Sequence, residues 1–361
     1  MRLAGTESAF FSPSGGRLHL SQAELGPIPG SREPRVNEQL ELRRFAGKEP
    51  PLNSPYTSYH RALHRFAIFL AVASFLLIVA GALVTSHDAG LSVPDWPTSF
   101  GRLPVTSAYF SVPLVGGVLW EHGHRMLAQL IGLLTIILVI WTWRTEARSW
   151  VRKLALGALG LVVLQGLFGG ATVLLGLPAW VSTVHAALGQ SFFCTAVALA
   201  LFTGRNWSQP VAAVDAPAGG MSGHAWGAVG IVFVQLILGS LFRHHGLPVL
   251  PHVIMAFIVA LTLLFTIYRV FARYRESVRL TFAAGLLLCL LLVQLGLGIL
   301  SYMTRLVWVA GEGSQTLMVV STVAHVAVGA LLLATCVALA MELGHRTTVQ
   351  AASTIGGTAA A

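Results

Sequence analysis

The fold is decided by residues 154–204, which read LALGALGLVVLQGLFGGATVLLGLPAWVSTVHAALGQSFFCTAVALALFTG without a single Asp, Glu, Lys or Arg. A bilayer core of about 30 Å is crossed by roughly 20 helical residues. The stretch is therefore too long for one membrane span and must contain two. Near its middle, Gly176-Leu177-Pro178 supplies the tight turn between them.

The composition of the whole chain agrees with this pattern. Hydrophobic residues make up 55% of the 361 residues, charged residues make up 10%, and the mean hydropathy is +0.73. Soluble domains carry about 25% charged residues, so a polytopic membrane protein is indicated. The net charge of +9 is spread between apolar runs, which argues against a nucleic-acid partner. Cys194, Cys289 and Cys336 stand inside apolar runs and predict no disulfide framework.

Apolar runs on both sides of the opening stretch predict an all-α fold with eight transmembrane helices in a lipid bilayer. The spans are expected near residues 64–86, 121–143, 152–175, 179–203, 225–243, 250–270, 278–303 and 317–341. Lys and Arg are concentrated on one side of these spans. The positive-inside rule then predicts a multi-pass protein of the cell (inner or plasma) membrane with both termini in the cytoplasm.

The polar segments outside the spans predict two tails and a linker. Residues 1–60 are rich in Gly, Pro, Ser and Arg and are expected to be a disordered cytoplasmic tail. Residues 206–224 are expected to form a cytoplasmic linker, and residues 344–361 a second disordered cytoplasmic tail.

An internal repeat divides the spans into two sets of four. The matching segments are Gly81–Thr85 with Gly239–Arg243, Gln165–Gly169 with Gln294–Gly298, and Ser182–Ala186 with Ser321–His325. Residues 61–205 and 225–343 are therefore predicted to be two pseudo-symmetric four-helix bundles of parallel topology.

The repeat brings four histidines to a common depth near the outer ends of the even-numbered spans. They are His124, His185, His252 and His325. Ionisable residues inside a membrane are costly and usually functional. Two imidazoles on facing helices suit an iron porphyrin ligated on both faces, and the doubling predicts two such sites. A helix–helix hydrogen bond is the common role of a lone intramembrane histidine, and four matched positions argue against it. Zinc is the weaker alternative, because no ligand set has a zinc-site spacing.

The stretch Glu121-His122-Gly123-His124-Arg125 distinguishes the two bundles. At 100° per residue, Glu121, His124 and Arg125 share a helix face from which His122 points away, so His124 is the better ligand. No acid precedes His252, so only the N-terminal site has a carboxylate beside it. Glu121 is a candidate general base or stabiliser of a cationic intermediate. The alternative is a partner for Arg125 or His122.

Two arginines are candidates to pair with a porphyrin propionate. They are Arg125 in the first half and Arg243 in the second, and for Arg125 an interfacial anchor is an equally weighted alternative. The first outer loop, His87–Pro97, is either a lid over the N-terminal site or a plain structured loop. Its counterpart, Arg243–Gly246, is much shorter.

On these residues the sequence resembles the heme A synthase family over about residues 61–342. The resemblance rests on Gly81–Thr85 with Pro94–Pro97, on Glu121–Arg125, and on the surroundings of the three later histidines. It implies oxidation of the C8 methyl of heme O to a formyl group, which makes heme A for terminal oxidases. It differs from some family members in having no cysteine pair in the first outer loop.

The resemblance also implies roles for the site residues. Heme O would bind near His124 and His185 with Arg125, and a heme b cofactor would be held by His252 and His325. Arg243 is grouped with the cofactor site. Glu121 matches the catalytically important glutamate, water would supply the oxygen, and electrons would leave through the cofactor heme. A heme O synthase is the donor that the resemblance suggests.

Two other functions fit the histidine pattern. A b-type membrane protein with two hemes would transfer electrons without chemistry on the porphyrin, and a heme carrier would only deliver it. A homo-oligomer, the electron acceptor and the recipient oxidase are left open by the sequence.

Overall fold

The computed structural model describes residues 59–207, 219–308 and 312–358, and the chain is helical, without a β strand, across these ranges. Eight helices are long and apolar enough to cross a bilayer. In chain order they are α1 Arg61–Ser86, α2 Gly116–Thr145, α3 Ser149–Leu174, α4 Ala179–Phe202, α5 Gly219–Arg243, α6 Leu250–Arg273, α7 Val278–Tyr302 and α8 Glu312–Thr358. The predicted all-α polytopic fold with eight spans is confirmed.

Two helices extend further than the sequence pattern predicts. α2 begins at Gly116 and not near 121, because the apolar residues Val118 to Trp120 continue the helix toward its amino end. Glu121 is therefore the sixth residue of α2 and lies inside the helix. α8 runs on to Thr358, so residues 344–358 are helical and not a disordered tail.

The structure describes only part of the predicted linker and of the predicted N-terminal tail. α5 already begins at Gly219, inside the predicted linker 206–224. Residues 208–218 of that linker and residues 1–58 of the predicted N-terminal tail lie outside the described residues.

The eight helices pack as two closed rings of four. In the first ring α1 and α3 each contact α2 and α4, and in the second α5 and α7 each contact α6 and α8. The second ring repeats the first with every helix number raised by four, which is the arrangement that the internal repeat predicts. In each ring the two even-numbered helices are diagonal to each other, as are the two odd-numbered helices. The rings meet along α1, α4, α5 and α8.

Apolar side chains fill the same end of both rings. The first cluster includes Leu63, Leu70, Leu138 and Leu199, and the second includes Leu263, Leu280, Leu287 and Leu339. All of them lie away from the α1–α2 loop, residues 87–115. We call the end that carries this loop the long-loop end. Because helices in lipid associate through close packing, these clusters hold each ring together and leave the long-loop end for the histidines.

Candidate functional site

Each of the four predicted histidines lies against a glycine of the preceding helix. An ideal Cβ would lie 3.1 Å from His124 at Gly81, 2.9 Å from His185 at Gly169, 2.8 Å from His252 at Gly239 and 3.2 Å from His325 at Gly298. A side chain at any of these glycines would press on the imidazole. The rings therefore rest on bare backbone, and the four contacts are equivalent under the repeat. We call each glycine–histidine contact a cradle.

The two histidines of the second ring face each other across its centre. The imidazole centroids of His252 and His325 are 6.3 Å apart, and their planes are inclined at 77°. An imidazole nitrogen binds a metal at about 2 Å, so two ligands on opposite faces of one iron have centroids roughly 6 Å apart. The pair fits an iron porphyrin between α6 and α8. His124 and His185 occupy the matching places in the first ring, each against its own cradle glycine.

Several buried polar atoms around the histidines have no hydrogen-bond partner in the described part of the chain. They are Nδ1 of His124, His252 and His325, and Oε1 of Gln165, Gln235 and Gln294. Buried polar atoms in folded proteins are almost always bonded, and a group of exceptions is typical of a ligand site. Imidazole nitrogens left without a partner in this way fit the ligation of an iron porphyrin.

Three glutamines extend the cradles and were not predicted as site residues. Their Nε2 atoms lie 3.4 Å from Nε2 of His185 for Gln165, 3.4 Å from that of His252 for Gln235, and 3.3 Å from that of His325 for Gln294. Each glutamine stands four residues before its cradle glycine, one helical turn away on the same face. A Gln-x-x-x-Gly pattern at 165, 235 and 294 was the signal that could have identified them.

Glu121 is buried and bonded through both of its carboxylate oxygens. Its Oε1 accepts from Nη2 of Arg125 at 2.6 Å, and its Oε2 accepts from the backbone N–H of Val93 at 2.8 Å. The side chain of Glu121 is therefore held between its own helix and the α1–α2 loop. The predicted shared face of Glu121 and Arg125 is present as an ion pair at positions i and i+4.

The Arg125 guanidinium also bonds the α1–α2 loop. It donates to the carbonyl oxygens of Asp95 at 2.7 Å, Val93 at 2.9 Å and Thr98 at 3.2 Å. These contacts fix the loop to α2 one residue after His124.

His122 lies apart from the histidine pair, as its helical position predicts. It is fully buried, and its Nε2 donates to the Tyr109 carbonyl at 3.0 Å while its Nδ1 lies 3.1 Å from the Ser99 hydroxyl. His122 thus binds the loop, and the sequence argument that removed it from the ligand set is consistent with these contacts.

The α1–α2 loop covers the long-loop end of the first ring. The Trp96 indole lies on the backbone of α3 at Gly170, the residue after the cradle glycine of His185. Within the loop, Val93, Ser99 and Tyr109 are fully buried. Of the two interpretations of this loop, a lid over the N-terminal site is the one these contacts favour.

Asp95 closes a turn inside the lid. Its carboxylate accepts from the backbone N–H groups of Phe100 at 2.7 Å and Gly101 at 2.8 Å, and from the Thr98 hydroxyl. Partial burial acts to raise the pKa of Asp95, but the Thr98 and backbone hydrogen bonds outweigh it and leave this pKa below its usual value.

Comparison with known proteins assigns the chain to a family. The sequence profile of the COX15-CtaA family, described as cytochrome oxidase assembly protein, matches residues 64–249, which is 186 of the 361 residues. The chain belongs to this family.

Curated relatives of this COX15-CtaA protein carry the name heme A synthase. The protein of Symbiobacterium thermophilum is 29% identical over 52% of the chain and 60% of its own length. That of Halalkalibacterium halodurans is 31% identical over 39% and 44%, and that of Geobacillus kaustophilus is 28% identical over 51% and 57%. The matched region thus spans about half the length of these relatives.

The family match covers the lid and the first ring but only part of the second. Glu121, His124, Arg125, His185 and Arg243 lie inside the matched residues of this COX15-CtaA protein, while His252 and His325 follow them. The equivalence of the second histidine pair to the first is therefore carried by the repeated cradles.

Arg243 joins the two rings of this COX15-CtaA protein. Its Nη2 donates to the Ala82 carbonyl at 2.9 Å and to the Ser86 hydroxyl at 2.6 Å, both on α1. The Ser86 hydroxyl lies 3.1 Å from that of Thr322 on α8, three residues before His325. The guanidinium predicted to serve the second site alone thus lies beside the first ring as well.

His244 continues this junction in the α5–α6 loop. Burial, with the charge of Arg243 beside it, lowers the pKa of His244 to about 4, so its imidazole is neutral at physiological pH.

Proposed function

We propose that this protein is a heme A synthase, which oxidises the C8 methyl of heme O to a formyl group. The observation that carries the proposal is an asymmetry between the two repeated sites. Both rings hold a histidine pair on glycine cradles, yet among the residues whose side chains the structure describes only the first ring has a buried carboxylate and a lid beside the pair.

In this proposal the two rings have different tasks. His124 and His185 ligate heme O, the substrate, and His252 and His325 ligate a heme b cofactor. When bound, heme b would supply a one-electron centre through which the four electrons of the methyl oxidation leave one at a time to an external electron acceptor. Arg125 and Arg243 are proposed to face the propionates, although both also bond backbone carbonyl oxygens.

Glu121 is the proposed catalytic residue of the first ring. Its place on α2 one turn before Arg125 directs the carboxylate toward the lid and the histidine face of the helix. There it is proposed to take a proton from water, which supplies the oxygen, or to stabilise positive charge beside the reacting methyl. The lid keeps bulk water away from this carboxylate.

The membrane setting is part of the proposal. The positive-inside pattern supports cytoplasmic termini and places the long-loop end, with both sites, toward the outer side of the cell membrane. A heme O synthase is the proposed source of the substrate, and a homo-oligomer is compatible with the exposed helix faces.

Glu121→Ala and Glu121→Gln test the catalytic role. Membranes of cells that make heme O would be extracted and their hemes separated. Both variants should retain bound heme while heme A falls at least about a hundredfold, the range of one lost acid–base group. Unchanged heme A formation would falsify the role of Glu121.

The same extraction distinguishes synthesis from electron transfer. A protein that only transfers electrons would yield heme b alone in wild type and in both variants. Heme b together with heme O, an alcohol intermediate or heme A supports the synthase.

A further inference from the structure

The cradles of the two rings differ at one position. The residue four before the cradle glycine is Gln165 on α3, Gln235 on α5 and Gln294 on α7, and each amide lies beside the histidine of its cradle. On α1 the same position, four before Gly81, holds Leu77. Leu77 is half-buried and packs against the apolar cluster of the first ring.

The arrangement of the helices in each ring indicates which part of a bound porphyrin this position would face. The histidines come from the diagonal even-numbered helices, so a porphyrin ligated by both has its faces toward those helices. The odd-numbered helices are then left to face its edges, and the edges carry the substituents. Residues one turn from the cradle glycine on α1, α3, α5 and α7 share the face of that glycine and would be the ones on these helices to meet the periphery of a bound macrocycle.

The two sites offer different edges. In the second ring both edges meet an amide, from Gln235 and Gln294, and both amide oxygens are buried without a partner. An amide covered by a long apolar chain could not reach water, and leaving such a group unsatisfied is unfavourable. In the first ring only the α3 edge has an amide, and the α1 edge is apolar.

We infer that Leu77 makes the α1 edge of the first site the place where a long apolar porphyrin substituent is recognised. The inference rests on the proposed function and adds to it the residue that separates substrate from cofactor. Heme O carries an isoprenoid chain where protoheme carries a vinyl group, so the two ligands differ in what an apolar edge can contact. Gln235 at the matching edge favours the porphyrin without that chain.

The test is a binding titration of the full-length protein in detergent. The Soret absorption of the ligated heme measures how much heme is bound. His252→Ala silences the second site, and the first is titrated with heme O and separately with protoheme. We expect Leu77→Gln to reduce the preference for heme O about tenfold or more, the scale of a small apolar-to-polar change in a pocket. Leu77→Met, which keeps an apolar side chain of similar volume, should preserve the preference.

The reciprocal exchange keeps the test decisive if Leu77→Gln does not fold. Gln235→Leu, with His124→Ala silencing the first site, should make the second site bind heme O about tenfold better relative to protoheme. Preferences that stay at the wild-type ratio in the folded exchange variants would overturn the inference while leaving the proposed synthase intact. Absence of any heme binding that depends on His124 and His185 would instead overturn the proposed function.

Discussion

The glycine against each histidine leaves the space that the imidazole occupies. Because an imidazole rests on backbone, no side chain at the glycine position has to be moved aside for it, and helix packing brings the ring against the main chain. A methyl group at Gly239 would come 2.8 Å from His252 and would push the ring out of line with His325.

Gly239→Ala should therefore lower the heme bound by the second site several-fold. Alanine itself favours a helix by up to about 1 kcal/mol over glycine, so lost heme would not reflect a weaker helix. The heme-to-protein ratio of purified protein measures the effect. Gly230→Ala on the same helix, where an added Cβ meets nothing within 4 Å, is the matched control and should keep full heme. Equal heme in the two variants would contradict the cradle.

Single residues also mark what the sequence could and could not predict. The four histidines were identified from periodicity and repetition, because ionisable residues stand out in apolar runs. The pairing of Glu121 with Arg125 was among the alternatives, since their i and i+4 spacing is local. The bonds of Arg125 and His122 to the lid, and of Arg243 to α1, join residues distant in sequence and could not be derived from spacing. The repeat does not indicate Gln235, because the matching segments Gly81–Thr85 and Gly239–Arg243 begin after its position.

Among the structural elements, the α1–α2 loop is the one whose contacts were hardest to foresee. The sequence allows either a lid or a plain loop, and the contacts of Trp96 with α3 and of Val93 with Glu121 favour a lid. The helices were predicted to within a few residues except where α2 and α8 continue beyond the expected ends. Apolar residues continue α2 toward its amino end, and the polar residues after Leu343 do not stop α8 because none of them is a proline.

Asp95→Asn should loosen the lid, because an amide loses one acceptor oxygen of the carboxylate that closes its turn. Hydrogen exchange of residues 95–101 should become faster in the variant at neutral pH. Asp88→Asn, which changes an exposed carboxylate of the same loop, is the control and should exchange as wild type does.

The pH dependence of this contribution follows from the lowered pKa of Asp95. A carboxyl group with a depressed folded-state pKa stabilises the lid at every pH above its unfolded-state pKa of about 4. The contribution is lost as the pH falls through the lower folded-state pKa. Wild type and Asp95→Asn should therefore differ from pH 5 to 8, and the difference should begin to shrink below about pH 4 and vanish only below the folded-state pKa. A difference that persists at low pH would show that the carboxylate charge is not responsible.

At the scale of the whole molecule, Arg243 is the main polar connection between the rings. Arg243→Met would leave the Ala82 carbonyl and the Ser86 hydroxyl without this donor at a buried interface. A hydrogen bond from a charged group is worth about 1.5–3 kcal/mol, so the thermal unfolding midpoint of heme-free protein in detergent should fall by several degrees. Arg275→Met, in an exposed turn, should leave the midpoint unchanged. A comparable fall in both variants would contradict a specific role for Arg243 at the junction.

The cradles have a consequence for how such a molecule diverges. The chemical structure of the main chain does not depend on the sequence. A histidine that packs against it therefore keeps its position when the surrounding side chains are substituted. A repeated bundle can then acquire a carboxylate, a lid or an apolar edge while its iron-binding histidines keep their positions. In the two halves of this protein the four glycine–histidine contacts are alike, and the halves differ in the residues around those contacts.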